Sequence, residues 1–228
     1  MWNQKIEKRL KERLPEVIRE QEWGIPVLDI KLEGDKVDTP FMQWGTVSRV
    51  KPMRGTYAFY IEDYRFNALW QQPEKLVNSE CISVVEPNIT IVNSTPKACV
   101  LSAIYYKRAI ARYWQSEGIR VFVDMSVPAE FEELNLLGVP SKWRAYCTHG
   151  YVNRIEALKR EHKLACSHAG TKDILWVVYG GGLAIRELCE KKGWLHIPEH
   201  FDVQKGKFSF APYQTEDKLV NGRERKIA

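Results

Sequence analysis

The stretch most informative about the fold is ILWVVYGGGLAIREL, residues 174–188. Residues 174–179 are apolar without interruption, which is typical of a strand covered on both faces of a sheet. Three glycines follow, and after them the apolar residues recur at the spacing of an amphipathic helix. A strand that turns tightly into a helix is the repeating unit of parallel α/β folds.

On either side of this stretch, predicted strands and helices alternate about five times, and the last predicted element is a strand. Strands are predicted within residues 56–63, 81–88, 119–126, 143–150, 173–180 and 194–200, with helical segments between them. Such alternation implies parallel strands joined by right-handed crossovers. The sequence therefore predicts an α/β fold with a mainly parallel sheet, barrel-like or open. The lack of a dinucleotide-binding fingerprint favours the barrel-like form.

The two ends of the chain differ from this core. Residues 3–22 carry apolar side chains at helical spacing and predict an N-terminal helix. We expect residues 1–56 to form that helix and an irregular segment packed on the core, residues 57–212 to form the βα core, and residues 213–228 to form a polar tail.

Composition excludes several classes of protein. Hydrophobic residues make up 44% of the chain, charged residues 28%, and the net charge is +5, which is compatible with an anionic partner. There is no apolar run long enough to span a membrane, and the N-terminus lacks the apolar centre of a secretion signal, so we expect a cytoplasmic protein. The five cysteines form no C-x-x-C pair, which argues against a disulfide framework or a zinc finger.

Four ionisable residues follow predicted strands and should meet at the carboxyl end of the sheet, where parallel α/β folds bind ligands. They are Asp63, Glu86, Asp124 and His149, which we predict as catalytic acids and bases. The three carboxylates are also a predicted ligand set for Mg²⁺ or Mn²⁺. The alternative is that they pair with arginine, for which Arg65, Arg108, Arg112 and Arg144 are available.

The glycine triplet is a predicted phosphate site. Gly180, Gly181 and Gly182 precede a helix, whose N-terminus favours anions, and Arg186 follows on that helix. The alternative is a tight turn where helix and strand pack closely.

A third candidate is the segment YYKRAIARYWQ, residues 105–115, in which cations and aromatic rings interleave. Lys107, Arg108, Arg112 and Trp114, together with Arg65, are predicted to contact the backbone and bases of a nucleic acid. The alternative is an ordinary amphipathic helix whose apolar side, including Trp114, faces the sheet while the cations face water.

Several segments resemble an uncharacterised family that is carried by phages and plasmids and catalogued as a domain of unknown function. They are EDYRFNALW, VVEPNIT, YYKRAIARYWQSEGIRVFVDMSVP, LGVP and THGY, all between residues 62 and 151, with a weaker match at VVYGGG. This chain has Asn88 where members of the family tend to have aspartate, and Phe131 near the place where they have tryptophan. The resemblance implies a mobile-element setting and the βα order.

Three functional hypotheses follow. The first is an enzyme acting on nucleic acid or a nucleotide by metal-assisted phosphodiester chemistry. The second is a non-catalytic nucleic-acid-binding accessory protein for replication or packaging. The third is a structural or regulatory module that binds another protein, in which the polar residues merely end the strands.

Overall fold

A seven-stranded, all-parallel sheet forms the centre of the protein, with the strands in chain order. The computed structural model describes residues 4–45 and 53–199. The strands are β1 (Phe41–Gln43), β2 (Thr56–Ala58), β3 (Ser83–Val85), β4 (Arg120–Asp124), β5 (Ala145–His149), β6 (Leu175–Tyr179) and β7 (Leu195–Ile197).

The sheet curls on itself. The ring of Phe41 in β1 stacks on that of Tyr179 in β6 with centroids 5.6 Å apart, although four strands separate the two in the sheet order. The predicted parallel α/β fold is confirmed in its barrel-like form.

The described residues also form five α-helices: α1 (Gln4–Arg13), α2 (Glu74–Val77), α3 (Lys97–Ser116), α4 (Ile155–Ala169) and α5 (Gly182–Lys192). Short 3₁₀ helices occupy much of the remaining connections: Ile30–Leu32, Asp63–Arg65, Asn67–Trp70, Ala129–Phe131, Leu134–Leu136 and Val152–Arg154. Where the sequence predicts a helix at residues 128–138, the structure has two 3₁₀ turns.

The predicted N-terminal helix is present but ends at Arg13, well before residue 22. Pro15 has no backbone N–H and restricts the residue before it, so the helix stops there. Ile6 and Leu10 are fully buried, and Arg13 forms an ion pair of 3.1 Å with Glu117 at the end of α3. The helix thus docks on α3, as the spacing of its apolar residues indicates.

Residues 1–56 do more than pack on the core, because β1 lies within them and pairs in parallel with β2. The same segment also contacts the amino-terminal parts of β3 and β4: the backbone amide of Gly34 donates to Val121, and the hydroxyl of Ser83 donates to Asp38. The predicted tail at residues 213–228 lies outside the described residues.

All five cysteines are free in the structure. Within residues 4–45 and 53–199, no helix is long and apolar enough to cross a membrane.

We expect Gly181→Ala to destabilise the protein more than Gly182→Ala. Both glycines have positive φ, +84° and +69°, which costs alanine roughly 1–2 kcal/mol. A Cβ on Gly181 would also lie 2.8 Å from the carbonyl oxygen of Gly150, whereas a Cβ on Gly182 meets nothing within 4 Å. Urea unfolding of the two variants measures the difference, and equal losses of stability would contradict the close approach at Gly181.

Candidate functional site

The carboxyl ends of the strands surround a site that we call the barrel mouth, formed by Tyr60, Asp124, His149, Tyr179 and Glu199. The Tyr60 hydroxyl donates to Asp124 Oδ1 over 3.2 Å. The Tyr60 ring lies 4.8 Å from the His149 ring and 5.5 Å from the Tyr179 ring. Asp124 and His149, predicted from the sequence to share a rim, are therefore both in contact with Tyr60.

The Asp124 carboxylate is buried and held on several sides. It accepts hydrogen bonds from Asn88 Nδ2 at 3.1 Å and from the backbone amide of Ser126 at 3.2 Å. Lys107 Nζ lies 3.3 Å from Asp124 Oδ2. Burying a carboxylate without partners is costly, and these contacts offset that cost. Burial raises the pKa of the Tyr60 hydroxyl well above its usual value, and the nearby charge of Asp124 raises it further. Tyr60 therefore keeps its proton and remains a hydrogen-bond donor.

His149 has a ring nitrogen without a hydrogen-bond partner. Its Nε2 is buried and accepts or donates no bond among the described residues. Glu199 Oε1 lies 3.9 Å away, and the ring of Tyr151 lies 4.1 Å from the imidazole ring. A buried polar atom left unpaired costs about 1–3 kcal/mol, and such atoms in native proteins commonly serve a ligand or a proton transfer.

A chain of hydrogen bonds connects the backbone of His149 to α4. Its backbone amide donates to Ser126 Oγ at 2.8 Å, and that hydroxyl lies 3.0 Å from Thr148 Oγ1. Thr148 Oγ1 in turn donates to Glu161 Oε2 on α4 over 2.7 Å. Burial raises the pKa of Glu161 to about 7, against the opposing effect of Arg154. The position of His149 thus depends on an acid that titrates near neutrality.

The glycine triplet lies on the same rim, but a carboxylate covers part of it. A Cβ on Gly180 would lie 2.7 Å from Glu199 Oε1, so the absence of a side chain lets Glu199 approach. Gly181 caps α5 in the left-handed conformation. Arg186 forms an ion pair with Glu190 at 2.9 Å. The tight turn is therefore present, and phosphate binding by the triplet and Arg186 stays a prediction.

The three predicted carboxylate ligands are not assembled around one point. Glu86 is fully buried against Arg108 on α3, and Asp124 pairs with Lys107. Asp63 stands apart, accepting hydrogen bonds from the backbone and hydroxyl of Thr90. Within the described part of the chain, no group of three His, Cys, Asp or Glu side chains is arranged to hold a metal ion. Glu86 follows the alternative that the sequence left open, pairing with arginine.

Three of the five residues predicted to contact nucleic acid are withdrawn from solvent. Lys107, Arg108 and Trp114 are at most 1% exposed. The two cations serve the buried carboxylates, and Trp114 stacks on Phe59 with its Nε1 donating to a backbone carbonyl. Lys107 and Arg108, predicted to face a nucleic acid, therefore face the interior of the protein. Arg112, 15% exposed in its side chain, lies 4.0 Å from Asp29, and only Arg65 is substantially exposed.

Tyr60, Asn88 and Glu199 were not among the candidates from the sequence. Tyr60 lies two residues after Ala58, the last residue of β2, so strand alternation places it on the same face as Thr56 and Ala58. Glu199 follows the last strand in the way that Asp124 ends β4. The strand-end rule gave Asp63 in place of Tyr60 because the predicted strand at residues 56–63 runs past Ala58, where β2 ends. Applying the same rule to the last strand would have found Glu199.

A parallel α/β barrel with a tyrosine-, carboxylate- and imidazole-lined mouth is the class of protein that this structure defines. The family model described as "Domain of unknown function (DUF4417)" matches residues 18–167, and the chain belongs to that family. The resemblance seen in the sequence is confirmed.

Two phage proteins are partial relatives. The "Gene 1 protein" of Mycobacterium phage L5 is 36% identical over 69 residues, which span 29% of this chain and 30% of that protein. The "Gene 1 protein" of Mycobacterium phage D29 is 32% identical over 69 residues, 29% of this chain and 26% of that protein. The match thus spans less than a third of either relative, and the chain is a phage-related protein. No solved structure is significantly similar.

We expect Lys107→Met to destabilise the protein by about 3–5 kcal/mol, because it leaves Asp124 buried without its cation. The double variant Lys107→Met with Asp124→Asn should recover much of that loss, since the unpaired charge is gone. Chemical denaturation measures both, and Lys163→Met on the exposed side of α4 is the control. Failure of Asp124→Asn to restore any stability would contradict the pairing.

The raised pKa of Glu161 predicts a pH-dependent contribution to stability. The pKa of Glu161 is higher in the folded state than its usual 4.5. Its contribution to stability is therefore fully present below pH 4.5 and is lost as the pH rises through about 7. The stability of Glu161→Gln relative to the natural protein should therefore rise over this window, by on the order of 3 kcal/mol.

Denaturation at several pH values checks this expectation. Glu156→Gln, on the exposed face of the same helix, controls for the change from carboxylate to amide. A difference between Glu161→Gln and the natural protein that stays constant between pH 4.5 and pH 7 would contradict it.

Proposed function

We propose that this protein acts on nucleic acid or a nucleotide by general acid–base chemistry at the barrel mouth, with His149 moving the proton. The observation that carries the proposal is the buried Nε2 of His149, which has no hydrogen-bond partner among the described residues and lies among tyrosine rings at the carboxyl end of the strands. Histidine is suited to this role because its pKa lies near neutral pH.

The shape and charge of the mouth favour the base of a nucleotide over its phosphate. Tyr60, Tyr151 and Tyr179 surround the imidazole, and flat bases stack on such rings. The carboxylates of Asp124 and Glu199 repel phosphate, and Glu199 accepts the N–H groups of a base. The phosphate then belongs outside the mouth, toward the N-terminus of α5 and the partly exposed Gly181 and Gly182.

In this proposal the other residues of the mouth position rather than react. Asp124 fixes the Tyr60 hydroxyl and the Asn88 amide, both within 3.2 Å of its oxygens. Glu199, 3.9 Å from His149 Nε2, stabilises the imidazolium form once a proton has been taken up. Glu86 has no direct role, since Arg108 occupies it.

The metal-assisted version of the chemistry has weaker support. Glu86 and Asp124, two of its three predicted ligands, already pair with Arg108 and Lys107, and the third, Asp63, is held by Thr90. Those residues do not fit a resident Mg²⁺ or Mn²⁺, so we assign no step to one. The turnover experiment therefore compares Mg²⁺, Mn²⁺ and a chelator.

The test measures binding and turnover separately. Fluorescence anisotropy with labelled single-stranded DNA and RNA gives affinity as a function of salt, and gel or chromatographic analysis gives turnover with Mg²⁺, Mn²⁺ or a chelator. We expect His149→Gln to bind within a few-fold of the natural protein but to lose turnover by roughly 100-fold or more, the usual contribution of a general acid or base.

His168→Gln is the matched control, because His168 bonds the backbone of Pro140. Unchanged turnover in His149→Gln would remove that residue from the mechanism. Binding without turnover in the natural protein would favour the accessory-protein hypothesis, and absence of any binding would reject both.

A further inference from the structure

A cavity lies between the chain that follows β2 and the N-terminal half of α3. Its volume is about 460 Å³, within the range of about 300–1,000 Å³ that is usual for small-molecule sites. Its walls are Asp63, Phe66, Trp70, Ile89 and Tyr106, and we call it the α3 pocket.

Aromatic rings form one side of the α3 pocket. The rings of Trp70 and Tyr106 have centroids 5.7 Å apart and are tilted by 48°, and Phe66 supports Trp70 edge-on at 6.0 Å. Phe66 is buried, whereas Trp70 and Tyr106 are partly exposed. A partly exposed ring backed by a buried one offers a flat ligand a fixed stacking surface.

The carboxylate of Asp63 supplies polarity to this pocket. Thr90 donates to it twice, from its hydroxyl at 2.9 Å and its backbone amide at 3.2 Å, so the carboxylate is fixed in orientation. A carboxylate only accepts hydrogen bonds, and each oxygen accepts more than one. It therefore matches the amino group of cytosine, whereas thymine and uracil present a carbonyl at the same position.

The α3 pocket is adjacent to the barrel mouth along the chain. Asn88 donates to Asp124 in the mouth, Ile89 lines the pocket, and Thr90 binds Asp63. The Cα atoms of Asn88 and Thr90 can be at most about 7 Å apart. One ligand long enough to pass over this segment can reach both sites.

We propose that the α3 pocket binds a base of single-stranded nucleic acid, with cytosine preferred over thymine or uracil, next to the nucleotide held in the barrel mouth. The proposal rests on the proposed function for its class of ligand. Arg65, in the same 3₁₀ turn as Asp63 and 40% exposed, is placed to meet the phosphates of that strand. Arg65 is the well-exposed member of the residues predicted to contact nucleic acid, and it keeps that role in this proposal.

The first test compares affinity for an oligodeoxycytidine and an oligothymidine of equal length. We expect the natural protein to prefer the cytosine strand about tenfold, the discrimination expected of a hydrogen bond to a base edge. Asp63→Asn should abolish the preference, because an amide can serve either base. Glu62→Gln removes a neighbouring exposed charge and should change both affinities alike. Equal affinities in the natural protein would overturn the preference.

The second test uses Cys99, which is exposed and lines the α3 pocket. Cys81, Cys147 and Cys189 are buried, so Cys166→Ser leaves Cys99 as the accessible thiol of the described residues. The rate of its alkylation by monobromobimane should fall several-fold when the oligodeoxycytidine is bound. Trp70→Ala should remove this protection. A bound strand that leaves the rate unchanged would overturn the proposal.

Deoxycytidine and thymidine, tested alone in the same assay, separate this proposal from the function of the mouth. Protection by deoxycytidine without turnover of any strand supports the α3 pocket and rejects acid–base chemistry at His149. Turnover that depends on His149, together with unprotected Cys99, supports the mouth and rejects the α3 pocket.

Discussion

The structure depends on two buried ion pairs that join α3 to the barrel. Arg108 pairs with Glu86 and Lys107 with Asp124, and all four side chains are at most 1% exposed. Burial, and to a smaller extent the neighbouring charge of Arg108, lowers the pKa of Lys107, and the carboxylates of Asp124 and Glu86 oppose that shift. Charges removed from water at such cost are retained only where partners satisfy them. The helix that covers β3 and β4 is thereby fixed in register against the strand that carries Asp124.

This constraint connects the interior of the barrel to its mouth. Asp124 pairs with Lys107 in the interior and accepts hydrogen bonds from Tyr60, Asn88 and Ser126 at the mouth. A single carboxylate thus sets the positions of three polar groups. Ser126 passes the constraint to the backbone of His149. Preorganisation of this kind is what a site for proton transfer requires, since the reacting group must be held within about 0.5 Å of its productive position.

The fold was predictable from the sequence because it follows from periodicity, whereas the site was predictable only in part. Uninterrupted apolar runs such as residues 174–179 mark buried parallel strands, and the ends of those strands correctly brought Asp124 and His149 together. The same rule misplaced Glu86, whose side chain is buried in an ion pair with Arg108 on α3. Lys107 and Arg108 look like surface cations in a sequence, and only the tertiary fold supplies the carboxylates that bury them.

The order of the strands has a consequence for how the chain reaches its native state. Since the seven strands follow one another along the barrel, the mouth combines Tyr60, which follows the second strand, with Glu199, which follows the seventh. Parallel pairs and contacts between residues so distant in the chain form slowly. During synthesis the early strands emerge from the ribosome long before the carboxylate that meets His149, so the site is completed only after Glu199 has been added to the chain.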